Sequence, residues 1–211
     1  MFKTGIILAA GQGTRMKSKV AKVLHKICGK SLVEHVLRAL EPAIDDKPIV
    51  VVGNCAEQVM EKLEGKAYFA LQAERKGTGH AVMMAKDYLI GKEGYVVVCA
   101  GDMPLIKAQT LKNLMDYTVE NNLSACVLTA LVDNPAGYGR IIRKDGKLLK
   151  IVEQKDANDE EKLVNEVNTS VYCFNIQDLL SSLDKLQPNN AQGELYLTDT
   201  IGILKAEGKA V

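Results

Sequence analysis

Short apolar runs alternate with amphipathic stretches from residue 4 to residue 131, and that alternation leaves few folds open. The runs at 6–10, 49–52, 67–71, 95–100 and 125–131 are too short for buried helices, and they predict strands with both faces covered. Between them, 31–40, 56–63, 78–88 and 110–120 carry apolar residues at helical spacing and predict amphipathic helices. Strand and helix in turn predict an α/β fold, a mostly parallel twisted sheet with helices on both faces. The pattern then changes. Runs at 138–143 and 148–152 flank "KDGK", whose Asp-Gly pair predicts a hairpin turn. A strand at 171–175 and helices at 176–183 and 199–206 follow, and the charged segment 155–163 reads as a solvated loop or helix. With no repeat and no low-complexity linker, 1–211 reads as one domain, long enough for a sizeable core. The closing "AEGKAV" reads as a helix end, a glycine and the start of a strand, which predicts a domain truncated at its carboxyl end.

Composition narrows the partners. A net charge of +1 gives no reason to expect nucleic acid. No run approaches the roughly 18 apolar residues of a membrane span, and the first residues lack a signal-peptide pattern, so a cytoplasmic protein is expected. Cys28, Cys55, Cys99, Cys126 and Cys173 are odd in number and lack C-x-x-C spacing. They predict reduced core residues rather than disulfides or metal ligands.

The first run ends in "AAGQGTRMKSKVAK", where Gly11 and Gly13 precede Arg15, Lys17, Lys19 and Lys22. A loop leaving the carboxyl edge of a parallel strand is where open α/β sheets bind ligands. Its basic residues suit a nucleotide polyphosphate or, with no ligand, a solvated surface. Two phosphate motifs fail here: Met16 stands where a dinucleotide fingerprint needs its third glycine, and Leu24 stands where a P-loop ending at Gly29, Lys30 and Ser31 needs its first. Gly29 and Lys30 instead predict a turn, and Ser31 the cap of the next helix. Asp102 follows the run at 95–100 directly, so it reaches the same edge either as an oxygen ligand for a cation or as turn chemistry.

"LAAGQGTRMKSKVAKVLH", "LQAERKGTGHA", "AGDMPL", "YGRI", "IVEQKDA", "VNTSVY" and "GELYLTD" follow one another along residues 6–200. In that order they resemble the uridylyltransferase domain of bacterial UDP-N-acetylglucosamine pyrophosphorylases, members of the sugar-nucleotidyltransferases. The resemblance implies the nucleotide-diphospho-sugar transferase fold, a Rossmann-like sheet with a hairpin-containing sugar-binding subregion. It implies uridylyl transfer from UTP to N-acetylglucosamine 1-phosphate with Mg²⁺, for peptidoglycan precursor synthesis. Arg15 and Lys22 are then catalytic, on the leaving phosphates and the α-phosphate. Leu8, Ala9, Ala10, Gly11, Gly13 and Thr14 line the nucleotide, and Asp102 is the metal ligand. Gln72 reads uracil, because an amide offers a donor and an acceptor together, with Gly77 and Thr78 beside it. The sugar falls to Gly101, Gly139, Glu153, Asn168, Tyr196 and Thr198. His25, His35 and His80 read as packed or capping histidines, since the reaction has no evident task for an imidazole.

Three departures from the family pattern stand out. Ala21 replaces a proline, which predicts a looser loop. Ser170 replaces a glycine, which predicts a crowded acetamido pocket. The family's second metal ligand, an asparagine beyond the final strand, has no counterpart before Val211. The resemblance therefore predicts weak turnover by the 211-residue chain or a UDP-sugar-binding module, beside the rival of another sugar-1-phosphate nucleotidyltransferase. The acetyltransferase β-helix domain of bifunctional members also has no counterpart, which predicts a monomer or weak oligomer.

Overall fold

The computed structural model describes residues 1–13 and 16–211, so Thr14 and Arg15 lie outside the described residues. β1 (Phe2–Leu8) runs through the middle of the sheet, with Ile6 and Ile7 fully buried on opposite faces. It pairs in parallel with β4 (Ile49–Val52) on one side and β6 (Gly94–Ala100) on the other, while β5 (Tyr68–Leu71) adds in parallel to β4. A two-residue hairpin, β2 (Lys26–Ile27) and β3 (Lys30–Ser31), stands apart and leads into α1 (Leu32–Leu40). Ser31 caps that helix and shares a capping box with Glu34, as its position before an apolar run predicts.

Beyond β6 the sheet becomes antiparallel. β10 (Glu166–Asn175) pairs with β6 and β7 (Ala125–Leu131) and makes one register contact, Val167 to Arg140, with β8 (Arg140–Lys144). β9 (Lys147–Val152) closes the predicted hairpin, with Asp145 and Gly146 at φ 51° and 74° in its turn. The eight-stranded order is β5-β4-β1-β6-β10-β8-β9, with β7 also on β10.

Helices cover both faces, as the alternation predicts. On one face α1, α2 (Ala56–Lys62) and α4 (Ala108–Glu120) pack Val36, Val59 and Leu111 over Ile7, Val97 and Cys99. On the other, α3 (Thr78–Met83), α6 (Ile176–Leu183) and α7 (Asp199–Ala206) pack Val82, Leu179 and Ile201 over Ile6, Val98 and Phe174. The short α5 (Asp159–Lys162) lies in the charged segment. No helix among the described residues is long and apolar enough to cross a membrane.

Several boundaries differ from expectation. β1 begins at Phe2 and stops at Leu8, leaving Ala9 and Ala10 in the loop. Thr4 and Gly5 hide the start of the strand from an apolar pattern, yet a Cβ on Gly5 would sit 2.3 Å from Leu40 Cδ2, so α1 lies directly on that glycine. The helix expected over 78–88 divides into α3 and a tight turn at Lys86–Tyr88, because Ala85 and Leu89 reach the same core face through a narrower winding. Cys99 and Cys173 are core residues, but Cys28 is exposed and Cys55 and Cys126 are only part-buried. Cys28 and Cys55 occupy turns at φ 50° and 57°, and Cys55 packs only against the edge of a core. The final residues form no strand, although the Ser124 amide donates to the Ala210 carbonyl at 2.8 Å.

Candidate active site

β1, β4, β5 and β6 all end at one edge of the sheet, and the loops that follow them pack together there. The amides of Gly101, Ala9 and Gln72 donate to the carbonyls of Leu8 (2.9 Å), Val51 (2.8 Å) and Val52 (2.8 Å), extending the parallel pairing past the strand ends. A cavity of about 310 Å³ opens above them. Leu8, Ala10, Gly11, Lys22 and Asp102 line one part of it, and Gln72, Gly77 and Thr78 another. Gly13 backs onto the stem of Lys22, while Ala9 and Gly101 are buried beneath and do not line the cavity. Arg75, Ser170 and Glu194 line it without being singled out in advance as binding residues. Arg75 lies between Gln72 and Gly77 within "LQAERKGTGHA", and Glu194 lies within "GELYLTD", a segment brought to the cavity from the far end of the chain.

At the cationic end, the Lys22 ammonium pairs with the Asp102 carboxylate. Ala21 just before it has φ −51°, a value that proline also imposes, and its amide donates to Gln58 Oε1 at 3.4 Å. A proline has no such donor, so the loop loses a ring and gains a tie to α2. Among the described residues no group of three or more His, Cys, Asp or Glu side chains could hold a metal. A single part-exposed carboxylate at Asp102, paired here with Lys22, nevertheless fits Mg²⁺, a hard cation that commonly takes one or two carboxylates and completes its shell with phosphate oxygens and water.

At the other end, Gln72 is 4% exposed, and its Nε2 donates to the Gly77 carbonyl at 3.1 Å. His80 Nδ1 lies 3.1 Å from the same nitrogen. Gly77 has φ 105°, and a Cβ there would stand 2.4 Å from the Leu195 carbonyl oxygen, so only glycine fits. The Gly79 amide donates to Leu195 (2.8 Å), the Leu195 amide to Lys76 (2.7 Å), and the Leu197 amide to the Thr78 hydroxyl (3.0 Å). The start of α3 is thereby fixed to a segment more than a hundred residues away.

A polar cluster adjoins this cavity through Ser170. It gathers Gly139, Glu153, Asn168 and Thr198: the Asn168 amide donates to Gly139 O at 2.9 Å, and the Thr198 hydroxyl to Glu153 Oε1 at 3.2 Å. Burial pushes the Glu153 pKa up, with Asp199 and Asp156 adding to it against the Thr198 hydrogen bond. Asn168 Nδ2 donates to the Tyr172 hydroxyl at 2.7 Å and its Oδ1 accepts from the Ser170 amide at 3.0 Å, and among the described residues its second side-chain hydrogen has no acceptor. Tyr196 is buried, and its hydroxyl accepts from Gln192 Nε2 at 2.7 Å; it does not line the cavity.

Known proteins share both the sequence and the shape. Residues 5–163 match the MobA-like NTP transferase domain. The bifunctional protein GlmU of Clostridium perfringens (strain SM101 / Type A) is 53% identical over 212 residues, covering 100% of this chain and 47% of that protein. The chain spans about half the length of the curated relatives it matches. A crystal structure from Bacillus anthracis, assigned as a glucose-1-phosphate thymidylyltransferase, has a TM-score of 0.82 at 22% identity, covering 98% of this chain and 84% of that one. UDP-glucose pyrophosphorylase complexed with UDP-glucose gives 0.78 at 21%, over 100% and 89%. The fold is that of the nucleotide-diphospho-sugar transferases, as the sequence resemblance implies.

Proposed function

The chain belongs to the MobA-like NTP transferase family, and from that premise we propose that it transfers the uridylyl group of UTP to N-acetylglucosamine 1-phosphate, releasing pyrophosphate. The observation that carries this reading is one cavity with a lysine and a carboxylate at one end and a buried, oriented amide at the other. A triphosphate and a base need that separation of chemistry. In the step itself, a phosphate oxygen of the sugar 1-phosphate attacks the α-phosphorus. The bond from that phosphorus to the bridging oxygen breaks, and its electron pair leaves on pyrophosphate. The nucleophile is already an anion, so no base has to remove a proton. The obstacle is charge, and preorganised donors lower it.

Lys22 leaves Asp102 for an α-phosphate oxygen when the nucleotide enters, and loop amides around Gly11 face the triphosphate. Arg15 is assigned to the leaving phosphates by the sequence resemblance alone. Asp102 would hold Mg²⁺ together with phosphate oxygens and water, which would supply further positive charge against the phosphates. Gln72 meets the base, and Glu153, Gly139 and Asn168 meet the sugar. The free thiols Cys28 and Cys55 suit the reducing setting of the cytoplasm, where cell-wall precursors of this kind are made.

Pyrophosphate release from UTP and N-acetylglucosamine 1-phosphate with Mg²⁺ tests the reading. Lys22→Ala and Asp102→Ala should each lower kcat/KM by about a hundredfold or more, while UDP-N-acetylglucosamine still binds. Failure of the unaltered protein to release pyrophosphate, or release undiminished in both variants, would overturn it.

A further inference from the structure

An amide side chain has two ends of opposite polarity, and one free to turn over accepts from one base and donates to another. Gln72 is not free. The Gly77 carbonyl 3.1 Å from its Nε2 can only accept, so the NH₂ end points there and the oxygen is left for the cavity. Among the described residues the second hydrogen of that NH₂ has one neighbour, His80 Nδ1, also at 3.1 Å. Nδ1 must then carry a lone pair, with the ring hydrogen on Nε2. Water offers little alternative to a residue only 4% exposed, and an unmade bond at a buried donor is costly. The ring is itself well placed to serve, because His80 stands on the first turn of α3, where Gly79 and Thr78 are bonded to Leu195 and Leu197.

We propose that His80 is a positioning residue for base selection. It takes the second amide hydrogen of Gln72 so that only Oε1 faces the nucleotide. That arrangement admits a base whose edge presents an imide N–H, as uracil and thymine do. It rejects cytosine, which presents a ring lone pair at the same point and would face oxygen with nitrogen. The inference rests on the proposed role of Gln72 in meeting the base.

Equilibrium binding of UTP and CTP to the whole chain, measured by calorimetry with Mg²⁺ present, tests it without requiring turnover. The unaltered protein should prefer UTP. His80→Leu, which removes the acceptor, should cut the UTP to CTP ratio about tenfold, chiefly by weakening UTP. His80→Asn, whose Oδ1 can occupy the place of Nδ1, should recover most of the ratio, which simple loss of packing would not allow. Should His80→Leu not fold, His80→Ala carries the same expectation. A wild-type ratio in a folded Leu or Ala variant would refute the positioning role while leaving Gln72 as the reader of the base. Equal binding of UTP and CTP by the unaltered protein, or an unchanged ratio in Gln72→Ala, would instead remove the role of Gln72 and this inference with it.

Discussion

Glu153 is a part-buried carboxylate with two more carboxylates nearby, and its pKa is raised above the 4.5 of an ordinary glutamate. For an acid whose folded pKa is raised, the folded state binds the proton more readily than the unfolded one. Its contribution to stability is therefore full below the unfolded value and is lost as pH rises through the folded value. At neutral pH the ionised group costs stability, and its return is the capacity to accept hydrogen bonds from sugar hydroxyls. Affinity for the sugar 1-phosphate should thus begin to fall on acidification at a higher pH than an ordinary glutamate would set. Glu153→Gln should weaken that affinity, remove the acid-side step and raise the thermal midpoint at neutral pH. KM for the sugar phosphate followed against pH in both forms checks this, and an acid step that persists in the glutamine variant would assign it elsewhere. Ser170 shows a second local compromise. Its φ of 61° is a left-handed conformation that costs a non-glycine residue roughly 1–2 kcal/mol. The hydrogen bond from its amide to Asn168 Oδ1 offsets part of that cost.

Elements reach the site in pairs, and residues 76–79, which open α3, are paired with residues 195–197 through three hydrogen bonds. Gly77→Ala would place a Cβ 2.4 Å from a backbone oxygen at φ 105°, so the two segments must part. A loss of at least about 1–2 kcal/mol in stability is expected from the backbone conformation alone. UTP binding should weaken while binding of the sugar phosphate changes little; calorimetry on both ligands separates the two, and equal loss on both would mean general unfolding. The same pair shows what a sequence can reveal. β4 and β7 have the limits that their apolar runs predict, because consecutive apolar residues leave an unbroken signal, although β4 is buried throughout and β7 only at Ala125. Only the end of β10 is visible in advance, since Asn168, Thr169 and Ser170 interrupt its pattern at a bulge. Asp102 and the first loop are legible as residues that follow buried strands. The Gln72 to His80 contact is not, because it depends on how the start of α3 is held by a distant segment, and no spacing rule encodes that. His80, read as a packed or capping residue, proves to have a polar partner facing the cavity.

At the scale of the whole molecule, β10 joins two kinds of sheet. Its end pairs with β6 through Tyr172 and Val98, next to the parallel strands that carry the nucleotide cavity, while its start meets β8 at Arg140, on the hairpin that carries Gly139. Cys173 and Phe174 are consecutive and fully buried, one in each of the two cores. Those cores lie on opposite faces of the sheet, and the one that holds Phe174 joins Ile6 and Val98 of the parallel strands to Ile141 and Ile151 of the hairpin, so the chain should unfold as one cooperative unit. Its seven tyrosines and absence of tryptophan make tyrosine emission a probe of both halves, with Tyr68 and Tyr95 in the parallel part and Tyr138, Tyr172 and Tyr196 beyond it. Far-UV circular dichroism and that emission should give one midpoint. UTP with Mg²⁺ at about a hundred times its Kd adds about 2.7 kcal/mol to the folded state. For a chain of this length that is a rise of about 5–11 °C, and both probes should move by the same amount even though UTP touches one half. Two transitions, with only the earlier or only the later displaced by UTP, would show instead that the hairpin region melts by itself and that β10 does not couple the sugar side to the nucleotide.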